Sequence, residues 1–199
     1  MIKIVAATQN KHKIKEIEAI TKDFGMEIIS RHEAGVPDVE IIEDGKTFEE
    51  NSYKKAYEIM KLCNSITIAD DSGLEVDALA GAPGVYSARF AGVDGDDEAN
   101  NYKLTQMLQG LSFDQRTARF VSVITMVYPS GKKLVARGEV EGHILLEPRG
   151  DGGFGYDPLF VPLGYDITFG EFKSEDKNKI SHRGNALQKL RELLSEEEE

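Results

Sequence analysis

The sequence contains no tryptophan, one cysteine and no long apolar run. The single cysteine, Cys63, cannot form an internal disulfide, and no neighbouring cluster of histidine and cysteine accompanies it to hold structural zinc. We therefore expect a protein of a reducing compartment. The apolar stretch at residues 2–8 is too short for a signal peptide or a membrane span, so we predict a cytoplasmic protein with no membrane partner.

Basic residues are scarce relative to acidic ones, 24 against 35, and the formal net charge is -11 at pH 7. Proteins that bind a nucleic-acid backbone usually present a basic face, because phosphate neutralisation supplies most of that affinity. The charge balance therefore disfavours nucleic acid as a partner. A small phosphorylated ligand remains compatible, since a few lysines and a bound cation can reverse the local potential.

The chain shows no internal repeat and no linker-like segment, which indicates one folded domain. We predict a domain over residues 1–195 and a frayed acidic tail at 196–199. Short apolar strands alternate with helical patterns, which is typical of an α/β fold. We expect a mixed central sheet with flanking helices, two lobes around a cleft that holds the ligand, and one long antiparallel hairpin.

Hydrophobic spacing and turn residues place the elements along the chain. The predicted strands are an opening run from residue 2, a short buried strand at 66–69, and a hairpin of 117–128 and 133–144 around a Pro-Ser-Gly turn. The predicted helices follow the loop at 8–10, run from a capping box at Thr47 to Leu62, carry Leu104, Met107, Leu108 and Leu111, and begin near the N-cap Ser181.

The loop at residues 8–13 joins the first strand to the first helix. The free backbone N–H groups and the dipole of a helix start attract anions, and Lys11 and Lys13 add positive charge. This pattern is compatible with a phosphate-binding loop. It is equally compatible with a solvated helix start that happens to hold lysines.

The segment Asp70-Asp71-Ser72-Gly73 follows the predicted strand at 66–69, so we expect it at the strand's carboxyl end. Two adjacent carboxylates repel each other unless a cation or a proton is present, and Mg²⁺ suits a few carboxylates plus water and phosphate oxygens. Alternation along an extended chain predicts that only one aspartate faces the ligand. Glu40 or Glu43 could supply a further carboxylate. The alternative is an ordinary Asp-Ser-Gly turn.

The glycine-rich segment at residues 150–158 surrounds Phe154 and Tyr156, which could stack on a purine. Aromatic rings in a turn more often pack on the core, so that alternative stays open. Donor groups then cluster before and at the start of the last predicted helix, namely Lys177, Ser181, His182 and Arg183. They suit phosphate or a base carbonyl, or they simply cap a helix.

Taken together and in this order, these segments resemble the inosine triphosphate pyrophosphatase family over nearly the whole chain. The motifs that carry the resemblance are Thr8-x-Asn10-x-x-Lys13, Ala69-Asp70-Asp71-Ser72-Gly73-Leu74, residues 81–89 (GAPGVYSAR), residues 152–158 (GGFGYDP) and Ser181-His182-Arg183-Gly184. Gln9 stands where the family usually has glycine. The resemblance implies Mg²⁺-dependent hydrolysis of ITP, dITP and XTP to the monophosphate and pyrophosphate by a homodimer.

The resemblance also implies a role for each part of the site. Asp71 would be the general base, and Mg²⁺ would be held by Asp71 and an acidic residue, for which we favour Glu40 over Glu43. The residues expected to bind the triphosphate are Thr8, Gln9, Asn10, Lys11, His12, Lys13, Lys55 and Ser72. The residues expected to recognise the base are Phe154, Gly155, Tyr156, Asp157, Lys177, His182 and Arg183.

Base selection would follow from hydrogen bonding. Hypoxanthine and xanthine present an oxygen acceptor at position 6, whereas the amino group of adenine would leave His182 or Arg183 unsatisfied, at about 1 to 3 kcal/mol. One alternative function is a regulatory module that binds a nucleotide without chemistry, which the paired aspartates disfavour. A phosphotransferase is a second alternative, but the sequence has no Walker A or kinase catalytic-loop pattern.

Overall fold

A computed structural model describes residues 2–196 and shows an α/β fold around a six-stranded sheet in that range. The strands are β1 (Ile2–Ala6), β2 (Met26–Ile29), β3 (Thr67–Val76), β4 (Thr117–Val127), β5 (Lys133–Ile144) and β6 (Phe160–Pro162). The α-helices are α1 (Lys11–Thr21), α2 (Phe48–Cys63), α3 (Asp97–Met107), α4 (Ser174–Ile180) and α5 (His182–Glu196).

The strand order in the sheet is β2-β1-β3-β4-β5-β6. β1 pairs in parallel with β2 and with β3, whereas β5 and β6 are antiparallel, so the predicted mixed sheet is confirmed. β4 and β5 are neighbours joined by a tight turn, in which Gly131 N donates to Tyr128 O and Tyr128 N donates to Lys132 O, both at 2.9 Å. No helix in the described range is long and apolar enough to cross a membrane.

The chain divides into two compact units, and β3, β4 and β5 each pass from the residues of one to those of the other. The first unit comprises the described parts of 1–71, 122–138 and 183–199, and the second comprises 72–121 and 139–182. The single functional domain and the cleft that the sequence predicts stay predictions, and most of the tail at 196–199 lies outside the described residues.

The first unit has two hydrophobic clusters because its strands bury both faces. Ile4 and Val5 are adjacent in β1, yet Ile4 packs with Ile17 in one cluster and Val5 packs with Ile59 in the other. Successive residues of a strand face opposite sides of the sheet, so an apolar residue at every position serves two layers of helix. This explains the apolar runs at residues 4–6 of β1 and 68–69 of β3.

The second unit is built around aromatic rings. Phe120 of β4 lies 4.7 Å from Phe160 and 5.9 Å from Phe169, measured between ring centroids. Tyr156 and Leu104 of α3 belong to the same cluster. Tilted and offset ring pairs at these separations add about 0.5–1.5 kcal/mol each to ordinary burial.

One strand boundary predicted from the sequence is corrected by the structure. β3 continues from Thr67 to Val76, so the Asp70–Gly73 segment lies inside a strand and not after it. Leu74 and Val76 lie beyond the polar stretch and are both fully buried. This alternation is typical of a strand, so β3 continues through the polar stretch. α5 begins at His182, so the predicted start of the last helix near Ser181 is confirmed, and Ser181 also follows the short helix α4 directly.

Candidate active site

The first of the paired aspartates, Asp70 of β3, is fully buried and surrounded by donors. Lys13 Nζ lies 2.7 Å from its Oδ1, and Ser122 Oγ of β4 donates to its Oδ2 at 2.6 Å. Burial alone would raise the pKa of Asp70, but the charges of Arg183 and Lys13 outweigh it and hold that pKa well below its ordinary value. Asp70 is therefore ionised at neutral pH and is held by these cations.

Arg183 is the main counterion of Asp70, which differs from its predicted role in base recognition. Its Nε and Nη2 donate to the two carboxylate oxygens at 3.2 and 3.3 Å, and its Nη1 donates to Glu16 of α1. Its side chain is only 1% exposed. The planar guanidinium of Arg183 binds one carboxylate through two nitrogens within the first unit. The structure therefore places Arg183 as a fixed internal cation.

The second aspartate, Asp71, faces the opposite way and meets a different set of charges. Lys55 Nζ of α2 lies 3.0 Å from Asp71 Oδ1 and 3.2 Å from Glu43 Oε2. Burial raises the pKa of Asp71 to about 6 and the charge of Glu43 adds to the rise, although Lys55 and Lys13 oppose it. The predicted alternation of the two aspartates is thus present, and Asp71 is the member of the pair whose pKa is raised towards neutral.

The segment that carries Glu43 is held on α2 by four consecutive residues. Beyond the Glu43–Lys55 pair, these contacts join Asp44 Oδ1 to Lys54 Nζ at 2.6 Å, Gly45 N to Asn51 Oδ1 at 2.8 Å and Lys46 N to Glu50 Oε2 at 2.6 Å. A Cβ at Gly45 would lie 2.5 Å from Asn51 Oδ1, so only glycine fits there. The packing fixes where Glu43 meets Lys55.

Glu40, which the sequence favoured as the metal ligand, lies on the exposed surface, whereas Glu43 shares Lys55 with Asp71. The structure thus brings Glu43 to Asp71 and does not bring Glu40 there. Within residues 2–196, no group of three or more histidine, cysteine, aspartate or glutamate side chains is arranged to hold a metal ion. Asp71 Oδ2 is buried and has no hydrogen-bond partner in the described chain. Two carboxylates, one with an unsatisfied oxygen, fit Mg²⁺, which keeps water and phosphate oxygens as its other ligands.

The loop at residues 8–13 is organised around the cap of α1. Asn10 Oδ1 accepts from the backbone N–H of His12 at 3.0 Å and of Lys13 at 3.2 Å, and Thr8 Oγ1 accepts from Asn10 N at 3.1 Å. Gln9 Nε2 donates to Asp38 at 3.0 Å. The expectation of free N–H groups is therefore wrong for Asn10, His12 and Lys13, because a side-chain cap satisfies them first. The side chains of Lys11 and His12 are exposed at this loop.

In the second unit, Asp157 and Lys177 form a buried ion pair beside Phe154. Lys177 Nζ lies 2.7 Å from Asp157 Oδ2 and 5.1 Å from the centre of the Phe154 ring. Asp157 Oδ2 also accepts from Phe154 N at 2.9 Å. A Cβ at Gly153, whose φ is +72°, would lie 2.1 Å from Asp157 Oδ2, so glycine is required for this turn.

Tyr156 and His182 are both buried against the core of this unit. Tyr156 belongs to the hydrophobic cluster and its hydroxyl donates to Ser87 O at 2.7 Å. The His182 ring stacks on Phe120 with centroids 4.7 Å apart and planes 12° apart. The structure therefore leaves Phe154, which is half-buried, as the ring suited to a purine, and assigns Tyr156 to the core. Ser72 is half-buried in β3.

Comparison with known proteins identifies the family of this chain. The Ham1 family model matches residues 4–193. The chain belongs to the Ham1 family. It is 52% identical over 200 residues to the dITP/XTP pyrophosphatase of Clostridium perfringens, covering 98% of each chain, and 47% identical to the one of Bacillus subtilis, again covering 98% of each.

Solved Ham1 structures have the same fold as this chain. The Ham1 protein of Staphylococcus aureus superposes with a TM-score of 0.86 at 42% identity, covering 98% of this chain and 99% of that one. The HAM1 protein of Coxiella burnetii gives a TM-score of 0.87 at 39% identity, covering 98% and 100%. The α/β fold of this Ham1 chain is therefore shared along its full length.

Sequence reasoning missed Glu16 of this Ham1 site, and it gave no separate role to Asn51 or Asp70. Glu16, which pairs with Arg183, lies one turn after Lys13 in α1, and that i, i+3 spacing was the available signal. Asn51 is signalled by its place one turn before Lys55, and Asp70 by its adjacency to Asp71. The contacts of these residues with distant segments could not be inferred from spacing alone.

Proposed function

We propose that this Ham1 protein hydrolyses non-canonical purine nucleoside triphosphates, namely dITP, XTP and ITP, to the nucleoside monophosphate and pyrophosphate. The relatives named dITP/XTP pyrophosphatase, at 52% and 47% identity over 98% of each chain, support this substrate class. The observation that carries the proposal is Asp71, a buried carboxyl with its pKa raised to about 6 and one oxygen without a hydrogen-bond partner in the described chain. A general base is most effective when its pKa lies near the working pH.

Mg²⁺ is part of this proposal, and Asp71 and Glu43 are the residues that would hold it. Bound there, Mg²⁺ would neutralise charge on the phosphate oxygens and on the departing pyrophosphate. The clustering of Asp71 and Glu43 around a single lysine supports this assignment, because the two carboxylates repel each other and a divalent cation would relieve that repulsion.

The side chains of the chain itself account for the remaining steps. Asp71 Oδ2 takes a proton from the water that attacks the α-phosphorus, and the bond to the β-phosphate oxygen then breaks to release pyrophosphate. Lys55, whose pKa is raised although burial opposes it, because Asp71 and Glu43 lie beside it, stays positively charged and attracts the phosphates. Lys13 and the exposed Lys11 and His12 supply further donors at the loop that begins α1.

The base would be recognised by residues of the second unit. Phe154 offers an aromatic face, and the Asp157–Lys177 pair fixes the turn on which Phe154 lies. A donor set that satisfies the 6-oxo group of hypoxanthine or xanthine leaves adenine mismatched, which costs about 1–3 kcal/mol for each unpaired buried group. His182 stays the predicted donor, whereas Arg183 is assigned to the internal network with Asp70. The homodimer and the cytoplasmic location also stay predictions.

A substrate panel tests this function. Purified protein is incubated with dITP, XTP, ITP, dATP and dGTP at several Mg²⁺ concentrations, and pyrophosphate and nucleotide products are quantified by chromatography. We expect monophosphate and pyrophosphate from the first three at rates well above those for dATP and dGTP. Absence of turnover with tight binding would favour the regulatory module, and a nucleoside diphosphate product would place cleavage at the γ-phosphate.

The metal assignment is tested by matched variants. Glu43→Gln should weaken Mg²⁺ binding by at least tenfold in calorimetry and should raise the Mg²⁺ concentration needed for turnover. Glu40→Gln removes the same charge from the exposed surface three residues earlier and should leave both unchanged. The reverse pattern would restore Glu40 as the ligand.

A further inference from the structure

One glycine of the turn that carries Phe154 is held by α3 from both sides of its backbone. Gly155 N donates to Asp97 Oδ2 at 2.8 Å, and Asn101 Nδ2 donates to Gly155 O at 2.9 Å. All three residues belong to the second unit. Asp97 and Asn101 are four positions apart in α3, so their side chains lie on one face of the helix.

The chemistry of these contacts requires an acceptor at position 97 and a donor at position 101. An N–H group needs an acceptor and a carbonyl needs a donor, and aspartate followed one turn later by asparagine supplies one of each. Because the Gly155 carbonyl can only accept, it also fixes which end of the Asn101 amide faces it. Gly155 has a φ of +60°, a backbone conformation that other residues rarely adopt. Glycine at position 155 therefore allows the backbone orientation that both contacts need.

Gly155 lies between Phe154, the ring suited to a purine, and Tyr156, which packs in the core. Phe154 precedes it and shares Asp157 Oδ2 with Lys177, while Tyr156 follows it and is anchored through Ser87. With Gly155 fixed by α3, every residue from 154 to 157 has a contact that sets its position. A rotation of the Gly155 peptide would move the Phe154 ring relative to the Asp157–Lys177 pair.

We propose that Asp97 and Asn101 are positioning residues for base recognition, which act by orienting the Gly155 peptide and through it Phe154 and Asp157. The inference rests on the proposed function and adds α3 to the elements that determine specificity. Neither side chain needs to touch the substrate. Binding sites depend on such supporting contacts, because small displacements of the contacting groups remove most of their selectivity.

Kinetics of alanine and conservative variants test the proposal. Asp97→Ala and Asn101→Ala should each lower kcat/KM for dITP about three- to tenfold, mostly through KM, since each removes one net hydrogen bond from the loop. The ratio of dITP to dATP turnover should fall as well. Asp97→Asn keeps an acceptor oxygen without the charge and should recover most of the loss. Glu98→Ala removes an exposed acidic side chain from the same turn of α3 and should behave as wild type.

Two readouts separate positioning from a general loss of structure. Inorganic tripolyphosphate lacks a base, so its inhibition constant should be the same in Asp97→Ala, Asn101→Ala and wild type. Hydrogen exchange of the peptide spanning residues 152–158 should speed up in the alanine variants, while peptides of β4 stay protected. This exchange measurement needs no activity, so it remains decisive if the wild type fails to hydrolyse dITP and the proposed function falls.

The inference is overturned if both alanine variants keep wild-type exchange in this loop, or if Asp97→Asn is as impaired as Asp97→Ala. Equal loss of tripolyphosphate and dITP binding would also overturn it, because the effect would then lie outside base recognition.

Discussion

Substitution of the two adjacent aspartates of β3 by asparagine should have different effects. At Asp70 the change should lower the stability of the fold, and at Asp71 it should abolish most activity. Asp70→Asn removes the charge that compensates Arg183 and Lys13, and breaking a buried ion pair from one side costs about 3–5 kcal/mol. The lower end of this range applies to Lys13, because its side chain is 15% exposed and gains water when the pair is broken. The upper end applies to Arg183, because its side chain is 1% exposed and cannot be rehydrated. We therefore expect the free energy of unfolding to fall by about 3–5 kcal/mol.

Asp71→Asn should change stability by less than about 1 kcal/mol while it abolishes most turnover. The folded structure disfavours the Asp71 carboxylate, because burial and Glu43 raise its pKa, so an uncharged amide relieves that cost. Lys55 keeps Glu43 as its partner. The amide can neither accept a proton nor carry charge to a metal ion, so activity is lost without loss of the fold.

Urea denaturation at pH 7 measures both effects, with thermal unfolding as a second probe. For a chain of this size, a loss of about 3–5 kcal/mol corresponds to a melting temperature lower by about 6–20 °C. The folded pKa of Asp70 lies below its unfolded value, so the stability it confers is present above about pH 4 and is lost as the pH falls further. The difference in the free energy of unfolding between wild type and Asp70→Asn should therefore become smaller as the pH is lowered.

A melting temperature of Asp70→Asn within 2 °C of wild type would refute this reasoning, because the Asp70 charge would then be dispensable to its cations. So would a result in which Asp71→Asn is the less stable of the two proteins. An Arg183→Met variant in the Asp70→Asn background completes a double-mutant cycle, and a coupling near zero would exclude a shared network.

Three further substitutions test the second unit. Gly153→Ala should lower kcat/KM for dITP by at least about tenfold, because a Cβ at a positive φ strains the backbone and displaces the Asp157 carboxylate; wild-type kinetics would contradict this turn. Tyr156→Phe should lower the free energy of unfolding by about 1–2 kcal/mol, since Ser87 O loses its buried donor, and should leave base selectivity unchanged. Phe154→Ala should raise KM for every purine nucleotide by about fivefold to a hundredfold with selectivity kept, as measured across the same panel.

Much of the fold follows from local pattern, whereas the site depends on contacts between distant segments. The N-cap Thr47, the apolar face of α5 and the Pro-Ser-Gly turn specify their elements through neighbouring residues alone. The sequence pattern predicts too short a β3, because the polar residues from Asp70 onward interrupt its apolar run. Their burial is stabilised by cations from other parts of the chain, which no local pattern reveals.

The same limit applies to the roles of single residues. Glu43 and Glu40 are indistinguishable by residue type, and only the packing of the 43–46 segment on α2 selects Glu43 as the neighbour of Lys55. The guanidinium of Arg183 is chemically suited to donate to a ligand. In the structure it pairs with Asp70, which lies 113 positions earlier and is not identifiable from local sequence. Residue chemistry thus predicts the kind of site, and three-dimensional packing decides which member of each candidate pair belongs to it.

The discontinuous make-up of the first unit has a consequence for its synthesis on the ribosome. Asp70 receives donors from Lys13, from Ser122 and from Arg183, which emerge in that order over 170 residues of chain. Until α5 has left the exit tunnel, the carboxylate of Asp70 lacks its principal cation, and its burial is opposed by the cost of dehydrating an ion. Completion of this unit must therefore wait until Arg183 has left the tunnel, so nascent chains that stall before residue 183 should be held open and should depend on chaperones to avoid aggregation.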